Sequence, residues 1–317
     1  MTGPTDDNEV VVAVDLGGTQ LRTAVFSQSG TMLVRHSVPT PKHGGQAAII
    51  AMVVEEIRAA VTVADRPMRQ VGVSALGPVD PSTGVVRTAP TLPDFDDVPL
   101  GATLRDALGV PVEVFNDANA AAVAEWRLGA GRGTDSFCYV TVSTGIGCGI
   151  INDGELVTGH SGYAGELGRL RIPTASGLAR LEEISSGTAI AAAARAALGN
   201  GVETSLRHLP HAEALTAADV AVAANTGDPL AQRIYTGAAE TLGIQLATLT
   251  KIIDPETIAL GGGVTLAGDA FWSPLRAAVN DSLAMDSIPP PRLLAAGLQG
   301  DVGLYGAFLA LTGFSGI

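Results

Sequence analysis

The chain has 317 residues, of which 46% are hydrophobic and 4% aromatic, and its formal net charge is −13. This length allows two domains with sizeable cores, and the abundance of Ala, Gly and Val is typical of helices packed on a parallel sheet. The acidic balance argues against nucleic acid as a partner, because phosphate backbones bind basic surfaces.

The cysteines and the hydropathy pattern exclude further classes. Cys138 and Cys148 are too few for a disulfide framework or a zinc cluster, and both stand among apolar residues, so we expect them to be buried. The first ten residues, MTGPTDDNEV, are acidic and unlike a targeting peptide, and no apolar run reaches membrane-spanning length. We therefore expect a cytoplasmic protein without a membrane partner.

The first predicted element is a hairpin at residues 9–26, EVVVAVDLGGTQLRTAVF. Asp15 ends the first β-rich run, Gly17 and Gly18 free the backbone, and Thr19 offers a hydroxyl. Such a turn can hold a phosphate through backbone N–H groups while the carboxylate attends a magnesium ion. A plain hairpin is the alternative interpretation, since one DxGGT sequence is modest evidence.

The pattern continues with short elements. It predicts a third strand at 30–38, a helix at 46–64, a buried strand at 70–74 that leads into a turn at Gly77, and a helix at 100–108. The stretch 88–98, TAPTLPDFDDV, has no regular period and is predicted to be a loop with solvated acidic side chains.

A polar cluster stands at the centre of residues 111–126, PVEVFNDANAAAVAEW. A β-branched run ends at Asn116 and Asp117, and an Ala-rich helix that contains Asn119 follows. Helix capping explains one such polar residue well and three poorly. Open α/β sheets bind ligands at the carboxyl ends of their strands, so this junction is a candidate site.

The second half of the chain repeats the first pattern. Residues 136–151, SFCYVTVSTGIGCGII, predict a strand, a turn that holds Gly145, Gly147 and Gly149, and a second strand. Two such hairpins indicate a duplicated fold that binds a nucleotide, although two unrelated glycine turns remain the alternative. Helices are predicted at 188–197, 217–224, 228–249 and 301–311. A strand at 257–260 runs into a triple glycine against which an adenine ring can lie.

Seven motifs in order resemble the ROK family of sugar kinases and repressors, within the actin-like and hexokinase-like ATPase superfamily. They are DLGGT (15–19), NDANAAA (116–122), STGIGCG (143–149), AGELG (164–168), LEEISSG (181–187), DPETIALGGGV (254–264) and GLYGA (303–307). The resemblance implies a duplicated ribonuclease H-like α/β fold with an interdomain cleft. Its smaller domain would contain residues 1–118 plus 301–317, and its larger domain 119–300. A homodimer is also implied.

The resemblance further implies an ATP- and Mg²⁺-dependent sugar kinase. Asp117 would be the base that takes the proton of the sugar C6 hydroxyl, and Asp15 would help to place Mg²⁺, either directly or through water. The sugar-binding residues would be Gly77, Thr91, Asn116, Asp117, Glu166, Arg169 and Glu182. The nucleotide and its phosphates would be held by Gly17, Gly18, Thr19, Thr144, Gly145, Gly147, Gly262 and Gly263.

Two departures from the family pattern concern zinc and the sugar. Arg169 stands where the family has a zinc-binding His, and residues 171–180, RIPTASGLAR, lack the family's cysteines, so no structural zinc is expected. Arg169 either changes the accepted ring substituents or pairs with Glu166 or Glu182. Thr91 stands where many relatives carry Asn.

Three functions therefore compete. The first is a glucokinase-like hexose kinase. The second is a kinase of a modified sugar, such as the amino sugar kanosamine or a C7 cyclitol, for which Arg169, Thr91 and the loop around Asp94 argue. The third, a non-catalytic sugar-sensing repressor, is disfavoured because too few residues precede Asp15 for a helix-turn-helix. Polyphosphate is an alternative donor, although the DLGGT turn favours ATP. His208 and His211 form only a weak metal-ligand pattern.

Overall fold

The computed structural model describes residues 8–298 and 300–313, and these form two compact units. Unit 1 contains the described residues of Met1–Arg132, Leu156–Ala164 and Gly297–Ile317. Unit 2 contains Gly133–Glu155 and Gly165–Ala296. The predicted division into domains at residues 118/119 and 300/301 stays a prediction.

The described chain contains both strands and helices, in runs of one kind or the other. The strands are β1 (Val10–Leu16), β2 (Gln20–Ser27), β3 (Met32–Pro39), β4 (Met68–Ala75), β5 (Val86–Thr88), β6 (Asp96–Val98), β7 (Val112–Asn116), β8 (Phe137–Val142), β9 (Ile146–Asn152), β10 (Glu155–Leu156), β11 (Arg171–Thr174), β12 (Gly177–Arg180), β13 (Thr257–Gly261) and β14 (Arg292–Ala295). The α-helices are α1 (Gly45–Ala64), α2 (Leu100–Leu108), α3 (Asp117–Leu128), α4 (Glu182–Ser185), α5 (Gly187–Gly199), α6 (Ala217–Asn225), α7 (Pro229–Ile253), α8 (Asp269–Ala284) and α9 (Val302–Thr312).

Unit 1 is built on a five-stranded sheet in the order β3-β2-β1-β4-β7. The predicted hairpin and third strand are confirmed, since β2 pairs antiparallel with both β1 and β3. Strand β4 then pairs parallel with β1 and β7. Alternate residues of β1, such as Val12 and Val14, share one buried core with Ile49 and Val53 of α1. This alternation is what a sheet covered on its face by a helix requires.

Helix α9 packs closely within unit 1. A Cβ added to Gly306 would lie 2.0 Å from the carbonyl oxygen of Ala120 in α3, so a side chain has no room there. The ring of Phe308 stacks on Phe26 of β2 with centroids 4.6 Å apart. The helix therefore completes the core that β1 and β2 begin.

The second five-stranded sheet has the order β10-β9-β8-β13-β14 and repeats the plan of the first. An antiparallel hairpin, β8–β9, is followed by the parallel strands β13 and β14. In unit 2 the helices α7 and α8 pack together, and a Cβ on Gly243 would lie 2.7 Å from the carbonyl oxygen of Leu275. The predicted duplicated α/β fold is confirmed.

The structure corrects the predicted loop at 88–98. Strand β6 lies within it and pairs antiparallel with β5, Val86 opposite Val98 and Thr88 opposite Asp96. Val86, Phe95 and Val98 are buried, and this burial holds a short ladder that the Pro- and Asp-rich sequence conceals.

Two further expectations concern the cysteines and the membrane. Cys138 and Cys148 are buried and free, as predicted. Across residues 8–298 and 300–313, no helix combines the length and the apolar character that a membrane crossing demands.

Candidate functional site

The predicted site residues of unit 1 meet where β7 passes directly into α3. Asn116, the last residue of β7, caps α3 by accepting a hydrogen bond from the backbone N–H of Asn119 at 3.1 Å. Its Nδ2 donates to the carbonyl oxygen of Gly77 at 2.9 Å and to Oδ1 of Asp117 at 3.1 Å. The same Oδ1 accepts from the N–H of Ala118 at 2.9 Å. Asn116 thus serves as a cap and also orients the carboxylate of Asp117.

Gly77 occupies its place for a steric reason. Its φ is +83°, and a Cβ there would lie 1.9 Å from the carbonyl oxygen of Thr88. Only glycine tolerates both conditions. The structure therefore brings the predicted residues Gly77, Asn116 and Asp117 together at the carboxyl end of a parallel strand.

Asp15 lies at the end of β1, beside the first glycine turn. It pairs across the hairpin with Arg22, whose Nη1 lies 2.8 Å from Oδ2 of Asp15. The carboxylate also lies against Gly303 in the first turn of α9, where a Cβ would be 2.7 Å from Cγ of Asp15. Burial raises the pKa of Asp15 above its ordinary value, and the hydrogen bond and charge of Arg22 act in the opposite direction.

The first glycine turn is braced by the segment that follows β3. Thr40 donates through Oγ1 to the carbonyl oxygen of Gly17 at 2.7 Å and through its N–H to that of Thr19 at 2.9 Å. Nζ of Lys42 donates to the carbonyl oxygen of Gly18. Thr40 and Lys42 are not among the predicted site residues, and the rarity of lysine in the sequence was the one signal for Lys42.

Thr91 is also close to this turn. A Cβ added to Gly18 would lie 2.7 Å from Oγ1 and 3.0 Å from Cβ of Thr91. The predicted phosphate turn and a predicted sugar-binding residue are therefore neighbours within unit 1. The carboxylate of Asp94 lies against Gly45 at the start of α1, 2.4 Å from where a Cβ of that glycine would be.

In unit 2, the turn between β8 and β9 is shorter than predicted. The N–H of Ser143 donates to the carbonyl oxygen of Gly145 at 2.9 Å, and Gly147 already lies in the ladder of β9, opposite Thr141. The prediction that put Gly147 and Gly149 in the turn is wrong, because glycine does not prevent backbone pairing in a buried strand. Thr144 is exposed at the tip of the turn.

The carboxylates predicted to bind sugar in unit 2 both have arginine partners. Nε of Arg169 lies 2.7 Å from Oε2 of Glu166, and Nη1 of Arg180 lies 3.4 Å from Oε1 of Glu182. Burial raises the pKa of Glu166, and Arg169 opposes that rise. Glu182 also lies near the glycine turn, with Oε2 3.1 Å from where a Cβ of Gly145 would be. Of the two partners considered for Arg169, the structure selects Glu166.

The triple glycine follows β13, as predicted. Gly262 has a φ of +92°, and a Cβ there would lie 2.4 Å from the carbonyl oxygen of Val142, so packing within unit 2 already requires this glycine. A Cβ on Gly263 would meet nothing within 4 Å. Gly263 is therefore the residue that leaves bare, open backbone of the kind a flat base can contact.

The side chains that could bind a metal suit a magnesium ion whose other ligands are substrate phosphates. Among residues 8–298 and 300–313, no three His, Cys, Asp or Glu side chains are grouped so that they could hold a metal ion. Mg²⁺ in phosphoryl-transfer sites uses one or two carboxylates together with substrate phosphates, so Asp15 beside the predicted phosphate turn fits. His211 bonds Asp219 at 3.0 Å, which accounts for one member of the weak histidine pair. The expected absence of zinc stays a prediction.

Comparison with known proteins identifies the family. The ROK family model matches residues 11–313. The chain belongs to the ROK family.

Individual ROK relatives extend this finding. The chain is 37% identical over 308 residues to the bifunctional enzyme NanE/NanK of Brucella melitensis, a match that covers 96% of this chain and 54% of that protein. The chain thus spans about half the length of that curated relative. The crystal structure of a ROK hexokinase from Thermus thermophilus superposes with a TM-score of 0.80 at 35% identity, covering 96% of this chain and all (100%) of the other.

A ROK family glucokinase from Streptomyces griseus, solved in complex with glucose and AMPPNP, superposes with a TM-score of 0.77 at 30% identity. The match covers 94% of this chain and 97% of that one. The fold described above is therefore similar to that of a ROK protein that binds a hexose and an ATP analogue.

Proposed function

We propose that this protein is an ATP-dependent sugar kinase that transfers the γ-phosphate to the C6 hydroxyl of a hexose, as glucokinases do. The observation that carries the proposal is the carboxylate of Asp117, held at the end of β7 by Nδ2 of Asn116 and by the N–H of Ala118. A carboxylate oriented by neighbouring donors at such a strand end is suited to general-base work.

The proposed reaction needs a positioned acceptor hydroxyl and a place for its proton. Asp117 accepts the proton of the C6 hydroxyl while the hydroxyl oxygen attacks the γ-phosphorus and the bond to the ADP oxygen breaks. In unit 1, Gly77, Thr91 and Asn116 are assigned to the sugar. In unit 2 the assignment rests on Glu166, Arg169 and Glu182.

The nucleotide is assigned to the glycine-rich segments. Backbone N–H groups of Gly17, Gly18 and Thr19 in unit 1, and of the turn with Thr144 and Gly145 in unit 2, are suited to phosphate oxygens. Gly147, now part of β9, stays assigned to the nucleotide beside this turn, and Gly262 and Gly263 are assigned to the base. Asp15 would help to hold a Mg²⁺ ion that binds with ATP, and the ion would supply positive charge to the phosphoryl oxygens. The S. griseus relative with glucose and AMPPNP supports both ligand assignments. A homodimer is proposed from the family resemblance alone.

One observation favours a second candidate, a kinase of a modified sugar. The ion pair between Arg169 and Glu166 occupies a position where the family resemblance places a histidine near the sugar. A long, charged pair there alters which substituents on the acceptor ring find hydrogen-bonding partners. An amino sugar such as kanosamine, or a C7 cyclitol, is therefore the alternative acceptor.

The test begins with ATP-dependent ADP release on glucose, mannose, fructose, glucosamine, kanosamine, N-acetylmannosamine and a C7 cyclitol. Turnover on glucose supports the first candidate, and turnover on the amino sugar or the cyclitol alone supports the second. Silence across the whole panel contradicts the kinase proposal.

The best acceptor is then used with Asp117→Asn. We expect turnover to fall about 10²- to 10⁴-fold while calorimetry still detects sugar binding, because the amide keeps the shape and loses the base. Asp106→Asn, on the exposed face of α2 in the same unit, is the matched control and should behave as the wild type. Near-normal turnover of the Asp117 variant would show that another group takes the proton.

A further inference from the structure

The chain uses arginine for almost all of its cations, which makes its lysines informative. Only Lys42 and Lys251 occur among the 19 lysine and arginine residues. Lys251 lies at the end of α7 in unit 2, where Nζ bonds the carboxylate of Asp286 at the surface. Lys42 instead donates to the carbonyl oxygen of Gly18, in the turn between β1 and β2.

Lys42 is held at this turn by its own segment. Thr40, two residues earlier, bonds the carbonyl oxygens of Gly17 and Thr19, so three successive carbonyls of the turn accept from residues 40–42. These bonds fix the backbone around Lys42 against the turn, so its ammonium group lies beside the turn.

The charge of Lys42 is not cancelled by a carboxylate. Within residues 8–298 and 300–313, the arginines of unit 1 that form ion pairs are Arg22, Arg35 and Arg87, and no ion pair includes Lys42. A carbonyl partner uses one of the three N–H donors of the ammonium and leaves its full positive charge. Lys42 thus provides an uncompensated cation at the turn that the proposed function assigns to phosphate.

We propose that Lys42 contacts the terminal phosphoryl group of the donor and neutralises its charge during transfer. This inference rests on the proposed kinase function. As the bond from phosphorus to the leaving oxygen breaks and the bond to the sugar oxygen forms, Asp117 takes the hydroxyl proton and Lys42 forms no covalent bond. A compact ammonium on a flexible stem suits this role, because it can follow the moving phosphoryl oxygens without a fixed fork geometry.

The first test uses the wild-type protein and its two lysines. The protein with Mg²⁺ is acetylated by an N-hydroxysuccinimide ester, and acetylation of Lys42 and Lys251 is followed by peptide mass spectrometry. We expect saturating AMPPNP to slow acetylation of Lys42 severalfold, ADP to slow it much less, and neither to change Lys251, which is the internal control.

The ligands in this test distinguish the possible failures. Saturation with AMPPNP, confirmed by calorimetry, without protection of Lys42 overturns the inference and leaves the kinase proposal standing. Protection by inorganic polyphosphate but not by AMPPNP keeps the role of Lys42 and overturns ATP as the donor. If no phosphate compound binds, the proposed function itself fails.

The second test compares Lys42→Met, Lys42→Arg and Lys251→Met. We expect Lys42→Met to lower kcat about 10- to 100-fold, since a preorganised positive charge at the phosphoryl group is lost. The KM for sugar should change by no more than about twofold. Lys42→Arg should recover part of the loss, and Lys251→Met should match the wild type. An unchanged kcat in Lys42→Met, or a loss that falls on the sugar KM alone, contradicts contact with the phosphoryl group.

Discussion

The two glycine turns occupy the same place in two sheets of the same strand order, but they differ in charge. In unit 1 the strand before the turn carries Asp15, opposite Arg22 in the ladder. In unit 2 the residue at the matching place is Thr141, opposite Gly147. Side chains of Thr40 and Lys42 brace the first turn, whereas a backbone bond from Gly187 to the carbonyl oxygen of Ser143 braces the second.

This difference distinguishes features that the fold requires from features that the proposed reaction requires. The hairpin and the parallel strands beside it recur in both units, so they are requirements of the fold. The half-buried carboxylate, its arginine and the lysine occur together at one turn alone among the described hairpins. We infer that charged side chains at the first turn interact with the metal ion and the transferred phosphoryl group. The second turn would bind phosphate oxygens through backbone N–H groups alone.

Among changes that test the comparison of the two turns, the largest effect is expected from Asp15→Asn, which keeps the shape of the side chain and removes its charge. We expect kcat to fall about 10²- to 10³-fold, with a higher Mg²⁺ concentration needed for half-maximal rate. Thr141→Val, at the matching place in unit 2, should stay within about twofold of the wild type. Steady-state kinetics with a Mg²⁺ titration measures both, and thermal unfolding confirms that both variants fold. Equal losses would show that the two turns share one role.

A smaller effect is expected from adding a methyl group to each turn. In Gly18→Ala the new Cβ meets Cβ and Oγ1 of Thr91, so the turn itself must shift, and kcat/KM for ATP should fall about tenfold. In Gly145→Ala the nearest atom is the end of the Glu182 side chain, which can rotate away, so about a twofold change is expected. The reverse order of effects would argue that the second turn carries the tighter phosphate contact.

The smallest effect is expected from Arg22→Met, and it should appear in the pH dependence. Burial raises the pKa of Asp15 and Arg22 lowers it, so removing the arginine raises that pKa further. If catalysis needs the ionised carboxylate, the acid limb of the kcat profile moves to higher pH. The pKa of Asp15 in the folded protein already lies above its unfolded value, and in the variant it lies higher still. The stability that the protonated carboxyl contributes at low pH is lost as the pH rises through the folded pKa, so in the variant this loss moves to higher pH.

The measurement for this variant is a pH–rate profile together with melting temperatures across the same pH range. Arg171→Met, in the exposed part of β11, is the control and should leave both curves in place. If the acid limb of the pH–rate profile does not move in Arg22→Met, Asp15 is not the group whose titration causes that limb.

Elements with a strong local pattern could be predicted from the sequence. The β1–β2 hairpin, α1 and the passage from β7 into α3 all follow from β-branched runs, helical spacing and a polar cap. Strand β6 could not be predicted, because its ladder depends on the distant burial of Phe95 and Val98 among prolines and aspartates. Helix α8 was not predicted, because Pro274 within it is a residue that normally ends a helix.

The site residues show the same limit. The motifs pointed to Asp117, Asn116 and Gly77, and the structure brings these three together. The bonds from Thr40 and Lys42 join segments more than twenty positions apart through backbone carbonyls, which no local pattern records. The choice of Glu166 as the partner of Arg169 likewise depends on geometry, since the sequence offered two carboxylates.

Helix α9 has a consequence for the order in which the chain folds. Its Phe308 and Gly306 pack against β2 and α3, yet β2 ends at Ser27 and α9 begins only at Val302. The elements of unit 2, which lie between residues 133 and 296, are complete before it emerges. Strands β1 and β2 therefore stay incompletely buried until α9 has been synthesised, and the nascent chain carries the apolar surface around Phe26 uncovered until then.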